Sequence, residues 1–119
     1  RDLERLLRDA GIVRHRGKIE AAIANARGTV ALRESGTPLE ELVWNHRPTN
    51  VRAAPKSLND LPPTTPESAA LSKELKRAGF RFVGPTTVYA TMQACGVVND
   101  HLASCFVRKE VQREIDAPL

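Results

Sequence analysis

Two short amphipathic helices separated by a glycine-bounded turn, in the stretch LSKELKRAGFRFVGPTTVYATMQACG, constrain the fold of this chain more than any other feature. In the first half, three apolar residues recur at helical spacing before a terminating glycine: Leu71, Leu75, Ala78 and Gly79. The second half repeats this order after a proline suited to a first helical position: Pro85, Val88, Met92, Cys95 and Gly96. The pattern predicts a helical hairpin within an all-α fold, with Cys95 in its core.

The turn between these two helices is suited to binding an anion. The first amides of the second helix lack carbonyl partners and lie at the positive end of the helix dipole. Glycines let a ligand approach the backbone, and nearby cations add charge. The residues predicted to bind a nucleic-acid backbone here are Gly79, Arg81, Gly84, Thr86, Thr87 and Lys76. The alternative is an ordinary helical hairpin with a solvated basic face.

The N-terminal third predicts a short helix that ends near Gly11 and a long helix that reaches about Glu34. The apolar stripe of the long helix consists of Ile19, Ala22, Ile23, Ala26 and Val30. Three basic residues precede or open this helix, and they are predicted to contact DNA phosphates: Arg14, Arg16 and Lys18. A solvated turn is the alternative for this cluster, since short basic clusters are frequent on surfaces.

The middle of the chain predicts a short helix followed by a long loop. Thr37 to Glu40 has the order of a capping box, so a helix is expected to run to about Trp44, whose indole is expected in the core. Residues 45–65 are rich in proline and predict a loop that wraps a surface, with one turn near Leu58. The hairpin pair is assigned to residues 66–96 and a flexible tail with a frayed helix to residues 107–119, all within a single domain.

Composition places few limits on function. The net charge of +4 permits a nucleic acid as partner without requiring one. No apolar run approaches the length of a membrane span and no signal peptide is evident, so we expect a soluble intracellular protein with no membrane partner. Glycine-rich nucleotide loops, nucleophile elbows and paired carboxylates are absent from the sequence.

One pair of residues has the chemistry of metal ligands. If Asn99 or Asp100 caps a helical turn, His101 and Cys105 project from the same face, and both can reach one zinc ion. A structural zinc site requires four ligands, and the sequence offers no second pair. From the residues alone, the alternative is a surface histidine and a buried cysteine.

Three strings carry a family resemblance: DAGIVRHRGKIEAAIANAR, LSKELKRAGFRFVGPTTVYATMQACGVVNDH and HLASC. They resemble the C-terminal two-thirds of the DNA-3-methyladenine glycosylase I family, within the helix-hairpin-helix superfamily. The resemblance implies an all-α DNA glycosylase domain whose N-terminal part is missing before Arg1. It also implies a structural zinc ion as cofactor, with His101 and Cys105 supplying half of a Cys₂His₂ site.

The resemblance further implies base excision repair by a bacterial cytoplasmic, nucleoid-associated monomer that acts on double-stranded alkylated DNA. The reaction is hydrolytic excision of flipped-out 3-methyladenine. Related enzymes that also cut the strand place a lysine where this chain has Thr86, so we expect a glycosylase without lyase activity. We expect residues 1–119 to be inactive alone. A non-catalytic helix-hairpin-helix module that binds DNA is the alternative.

No catalytic residue is assigned in this chain, and Asp100 is a weak candidate. Other helix-hairpin-helix glycosylases use an aspartate a little beyond the second hairpin helix, which is where Asp100 lies. A helix cap before His101 is the simpler prediction for Asp100, since its carboxylate would satisfy free amides there.

Overall fold

The computed structural model describes residues 1–118, in which all regular structure is helical. The six α-helices are α1 (Asp2–Leu6), α2 (Arg16–Glu34), α3 (Leu39–Trp44), α4 (Pro66–Arg77), α5 (Pro85–Ala94) and α6 (Arg108–Asp116). A single 3₁₀ turn, Leu58–Asp60, lies in the long loop between α3 and α4, as the sequence predicted. The predicted all-α fold is therefore confirmed.

Helices α4 and α5 form the helical hairpin, and local signals explain their limits. Helix α4 begins at Pro66 because the Thr65 hydroxyl accepts a hydrogen bond from the Ser68 amide, 3.1 Å away, while the Ser68 hydroxyl lies 2.9 Å from the Thr65 amide. The two helices end before glycines with positive φ, Gly79 at +88° and Gly96 at +74°. Their facing apolar side chains form the centre of the core, which Leu42 of α3 and Phe80 of the turn complete; these side chains are Leu71, Leu75, Val88, Met92 and, just beyond α5, Val97.

Helix α2 has the predicted length, but the predicted apolar stripe does not face the core. Of the stripe only Ile19 is buried, whereas Ala22, Ile23, Ala26 and Val30 are exposed. The buried positions of α2 are Ile19, Ala21 and Gly28. Because α2 is rich in alanine on several sides, apolar spacing alone does not select the face that packs.

The predicted capping box at α3 is wrong. Helix α3 begins at Leu39 with Pro38 in the cap position, and no side chain caps it. The amide of Thr37 instead donates to the Leu32 carbonyl, which completes the C-terminal turn of α2 around Gly36. The prediction that Trp44 lies in the core is also wrong, because the residue is 41% exposed.

The C-terminal segment packs against the end of the hairpin pair. The Asn99 amide group donates to the Gln112 side chain of α6 at 3.1 Å, and a Cβ on Gly96 would lie 3.3 Å from the Ile115 side chain. The helix predicted in this tail is thus present as α6. The flexibility predicted for residues 107–119 stays a prediction, and Leu119 lies outside the described residues.

No helix within residues 1–118 has both the length and the apolar character that a bilayer crossing requires.

Candidate nucleic-acid interface

The turn between α4 and α5 has an inner side that packs against the protein. Phe80 is only 8% exposed, and its ring lies so close to Gly28 of α2 that a Cβ there would be 2.7 Å from it. The amides of Gly79 and Phe80 donate to the carbonyls of Lys76 and Leu75 and close the last turn of α4. Glycine at position 28 therefore admits the phenyl ring that anchors the turn.

Two polar side chains hold the main chain on this inner side. Asn25 of α2 accepts a hydrogen bond from the Arg81 amide at 2.8 Å and donates to the Arg81 carbonyl at 3.1 Å. Ser72, 1% exposed in α4, donates its hydroxyl proton to the Val83 carbonyl at 2.5 Å. The main chain of the turn is thus hydrogen bonded to side chains of α2 and α4.

The outer side of the turn comprises Gly84, Thr86 and Thr87 at the start of α5. Gly84 is the N-cap, with φ −62° and ψ 162°, and a Cβ on it would meet no atom within 4 Å. Thr86 and Thr87 are exposed, and within the described chain their amides donate no hydrogen bond. These free amides lie at the positive end of the α5 dipole, where an anion can reach them.

Two exposed cations precede this outer side in the hairpin. Lys76 in the last turn of α4 and Arg81 in the turn itself are both exposed. Throughout residues 1–118, the ion pairs within 4 Å involve other side chains. Both charges are therefore available to a phosphate that approaches α5.

The N-terminus of α2, with the basic cluster predicted from the sequence, lies beside the turn. The His15 ring contacts the Phe82 ring edge to face, with ring centres 6.0 Å apart. His15 also caps α2, since its Nδ1 accepts a hydrogen bond from the Lys18 amide at 3.1 Å. His15 and Phe82, 67 residues apart in the sequence, thus belong to adjacent parts of one surface.

The three basic residues of that cluster differ in their surroundings. Arg14 and Lys18 are exposed and make none of the ion pairs found in residues 1–118. Arg16 is also exposed, but its guanidinium lies 2.7 Å from Glu4 and 3.8 Å from Glu20. The hydrogen bond from Arg16 lowers the pKa of the Glu4 carboxyl. A phosphate that binds Arg16 has to compete with these carboxylates.

Phe82 has a backbone conformation that few bulky residues adopt. Its φ is +56°, the only positive φ of a residue other than glycine in the described chain, and it is 54% exposed. Its ring is restrained by the ring of His15, the N-cap of α2, and lies 3.7 Å from where a Cβ on Gly17 would be. Phe82 therefore joins the turn to the N-terminus of α2 at the cost of local strain.

His101 and Cys105 come together, although not on a helix. Residues 99–105 are irregular apart from a turn at Ala103 and Ser104, in which the Cys105 amide donates to the Leu102 carbonyl. Nδ1 of His101 lies 3.7 Å from Sγ of Cys105. Nitrogen and sulfur ligands on a tetrahedral zinc ion are about 3.6 Å apart, so the pair fits two adjacent corners of such a site. A thiol-to-imidazole hydrogen bond accounts for the distance equally well. Residues 1–118 contain no cluster of three potential metal ligands.

Two sequence predictions near this pair are wrong. Cys95 was expected in the hairpin core, but it is exposed because α5 ends at Ala94 and the chain turns at Gly96. Asp100 was expected to cap a helix before His101, but no helix begins there. The His101 amide instead donates a long hydrogen bond, 3.4 Å, to the side-chain oxygen of Asn99.

Asp100 lies in a polar network that ties the long loop to α5. Its carboxylate, 11% exposed, accepts hydrogen bonds from the Tyr89 hydroxyl, from Gln93 at 3.0 Å and from Arg52 at 3.1 Å. Burial, together with the hydrogen bond to Asp100, raises the pKa of the Tyr89 hydroxyl. Both carboxylate oxygens are occupied by donors, which favours a structural role for Asp100. The catalytic role stays a prediction.

Comparison with known proteins identifies the family. Residues 1–109 match the model of the methyladenine glycosylase family. The chain belongs to this family. It is 50% identical over 107 residues to DNA-3-methyladenine glycosylase 1 of Escherichia coli, an alignment that covers 87% of this chain and 56% of the relative. The chain therefore spans little more than half the length of that relative.

Solved structures of methyladenine glycosylases have the same fold. A crystal structure of a 3-methyladenine DNA glycosylase I superposes with a TM-score of 0.83 at 48% identity, covering 88% of this chain and 58% of the other. A variant of such a glycosylase, solved in complex with 3-methyladenine, superposes with a TM-score of 0.82 at 29% identity, covering 90% and 58%. The resemblance inferred from the sequence motifs is confirmed.

The sequence analysis did not identify several residues that hold the turn between α4 and α5 in place. Asn25, Ser72 and Phe82 were not singled out, and His15 was not recognised as a cap. One signal was available: asparagine is a poor helix former, so its presence inside the alanine-rich α2 indicates a bond outside the helix. Its partner Arg81, 56 residues further along, was not readable from the pattern.

Proposed function

We propose that this chain is the DNA-backbone-binding part of a DNA-3-methyladenine glycosylase, a repair enzyme that hydrolyses the bond between the alkylated base and its sugar. Family membership and the names of the relatives support this proposal. The hairpin supports the DNA-binding step, because free amides lie at the start of α5 and exposed cations occur in the preceding turn and the last turn of α4.

In the proposed mechanism, the chain binds the phosphates of double-stranded DNA without contacts that depend on base sequence. The amides of Thr86 and Thr87 donate to phosphate oxygens, and Arg81 and Lys76 add charge. Arg14 and Lys18, on the other side of the His15–Phe82 contact, bind further phosphates along the strand. Held in this way, the duplex can release the damaged base from the stack, a step that costs a few kcal/mol.

Hydrolysis of the bond between base and sugar requires little from the residues that bind the backbone. Adenine alkylated at N3 carries a positive charge and is already a good leaving group, so a pocket needs shape, stacking and a carboxylate more than a strong acid. We assign none of those pocket roles within residues 1–119, and we expect this chain alone not to release the base. An assay for release of methylated purines, run on residues 1–119 beside the longer Escherichia coli relative as positive control, tests this expectation, and release of the base by residues 1–119 would contradict it.

We also infer that the enzyme does not cut the DNA strand. Strand cleavage requires an amine that forms a Schiff base with the sugar, and Thr86 stands where related bifunctional enzymes place lysine. Borohydride treatment is therefore expected to trap no covalent complex between this protein and abasic DNA.

Gly84 is the observation on which the DNA-binding proposal rests. Its φ and ψ are open to any residue, and a Cβ would meet nothing within the protein. The fold therefore does not require glycine here, whereas the close approach of a phosphate does.

Fluorescence anisotropy with a short labelled duplex tests this proposal. We expect Gly84→Ala to weaken binding about tenfold, which corresponds to about 1.4 kcal/mol, because the new methyl group displaces the phosphate. Ala94→Ser, at the other end of α5, also adds one exposed atom and is the matched control. Equal affinities for the two variants and the wild type would contradict the proposal.

Zinc is part of the same proposal. We infer that His101 and Cys105 supply two of four ligands to a structural zinc ion, because their separation suits adjacent corners of a tetrahedral site. A zinc ion bound here would stabilise the turns that follow α5.

Cobalt(II), a coloured substitute for zinc, tests this assignment by the absorption band of the cobalt–thiolate bond. Cys105→Ser is expected to abolish the band, whereas Cys95→Ser, at the other cysteine, is expected to leave it unchanged. Persistence of the band in the Cys105 variant would contradict the assignment.

We expect the protein to act as a monomer on chromosomal DNA in the bacterial cytoplasm.

A further inference from the structure

We propose that Asn25 is a positioning residue for DNA binding, which sets the orientation of the hairpin through the main chain of Arg81. This inference rests on the proposed function. Asn25 lies in the middle of α2, and its side chain bonds both the amide and the carbonyl of Arg81, at 2.8 and 3.1 Å.

The two bonds fix the orientation of the turn as well as its distance from α2. An asparagine side chain carries its donor and acceptor in one plane, so it matches a residue whose amide and carbonyl both face it. Sliding or rotating the turn breaks at least one of the two bonds. Arg81 is therefore held in a single pose relative to α2.

Arg81 is the point in the turn where such a restraint is needed. It lies between Gly79, with φ of +88°, and Phe82, with φ of +56°. Phe82 pays a steric cost for that conformation, and such strain persists only where neighbours over-determine the backbone. Asn25 supplies the polar restraint next to Phe82, while His15 and Gly17 restrain the ring.

The local requirements of α2 do not explain an asparagine at this position. Alanine is the better helix former, and the adjacent Ala24 and Ala26 show that α2 otherwise uses it. Asn25 is also part of neither the α4 and α5 core nor the outer side of the hairpin. Its advantage lies in the bonds to Arg81, three residues before the N-cap of α5.

Asn25→Ala in the full 119-residue chain tests the inference with two measurements. Loss of the side chain is expected to speed hydrogen exchange of the Arg81 amide at least tenfold, because that amide loses its acceptor. The affinity for a labelled duplex is expected to fall about fivefold, because the free amides and cations of the hairpin lose their fixed arrangement. Asn50→Ala is the control, an exposed asparagine whose side chain makes no hydrogen bond in residues 1–118.

A double-mutant cycle separates positioning from general stability. If Asn25 acts through the hairpin, Asn25→Ala costs less affinity in the Gly84→Ala background, where the hairpin contact is already impaired. Fully additive losses of affinity would overturn the inference. Asn25→Gln, which keeps the amide but moves it by one methylene, is expected to show the same losses and serves as the second variant.

The outcomes distinguish the inference from the proposed function. If the wild-type chain does not bind duplex DNA, both fail. If the wild type binds and Asn25→Ala binds equally well, only the inference fails. Weaker binding with unchanged exchange of the Arg81 amide would also overturn it, since the effect would then not pass through Arg81.

Discussion

The inner and outer sides of the hairpin differ in what the protein itself requires of them. On the inner side, Phe80, Arg81 and Val83 are packed or hydrogen bonded to α2 and α4. On the outer side, the amides of Thr86 and Thr87 make no such contact in the described chain, and Gly84 borders open space. The inner side is therefore explained by folding, whereas the outer side is explained only by a ligand.

The two glycines of the turn illustrate the difference. Gly79, with φ of +88°, has a conformation that disfavours any side chain, although no atom lies near its absent Cβ. Gly84 has an ordinary conformation and equally open surroundings. Glycine thus occurs at the two positions for different reasons, at Gly79 because of the backbone conformation and at Gly84 because of the proposed recognition of DNA. Four substitutions test this contrast.

The largest loss of stability is expected at Met92 of α5, which is 0% exposed in the core between the hairpin helices. Met92→Ala removes buried contacts and leaves a cavity, so we expect the free energy of unfolding to fall by about 2–5 kcal/mol. Urea denaturation measures this change. Met92→Leu, which keeps the volume, is expected to cost less than about 1.5 kcal/mol. Similar losses for the two variants would show that packing does not stabilise the inner side.

Gly28→Ala tests the contact between α2 and the Phe80 ring by setting helix propensity against packing. Alanine favours a helix by about 1 kcal/mol over glycine, which on its own predicts stabilisation. The new Cβ would lie 2.7 Å from the Phe80 ring, however, and overpacking of this kind costs about 1–3 kcal/mol. We expect net destabilisation in urea, relieved when Phe80 is shortened to leucine in the same chain. A more stable Gly28→Ala protein would show that the turn moves freely away from α2.

Gly79→Ala tests the backbone requirement alone. No atom lies within 4 Å of the added Cβ, so the cost comes from the left-handed conformation, about 1–2 kcal/mol. Gly79→Asn is expected to cost less, because asparagine tolerates positive φ better than alanine. Thermal unfolding of both variants checks the order. Equal loss in both would point to a cause other than φ.

How far the sequence predicts this structure depends on how local each signal is. The limits of α4 and α5 followed from Thr65, Pro66, Pro85 and the two terminal glycines, all of which act within a few residues. The packed face of α2 did not follow, since it depends on Phe80, which lies 52 residues beyond Gly28 in the printed sequence. Local spacing defines a helix but not its neighbours.

The candidate site shows the same limit. The free amides of Thr86 and Thr87 and the cations near them were predicted because a helix N-terminus has these properties wherever it forms. The bonds of Asn25 and Ser72 were not predicted, because their partners are set by tertiary packing. The helix expected to place His101 and Cys105 on one face is absent, although the turn between them brings the two side chains together.

The smallest change in stability is expected at Gly84, and it makes the sharpest test of the contrast. Gly84→Ala fits the existing φ and ψ, and it restricts the unfolded chain, so stability should stay constant or rise by about 0.4–1 kcal/mol. The proposed contact with DNA predicts that the same variant binds a duplex more weakly. A substitution that stabilises the fold while it weakens binding separates recognition from folding at one position. If Gly84→Ala instead destabilises the protein, the fold itself requires glycine there. The outer side, like the inner side, would then be explained by folding and not by a ligand.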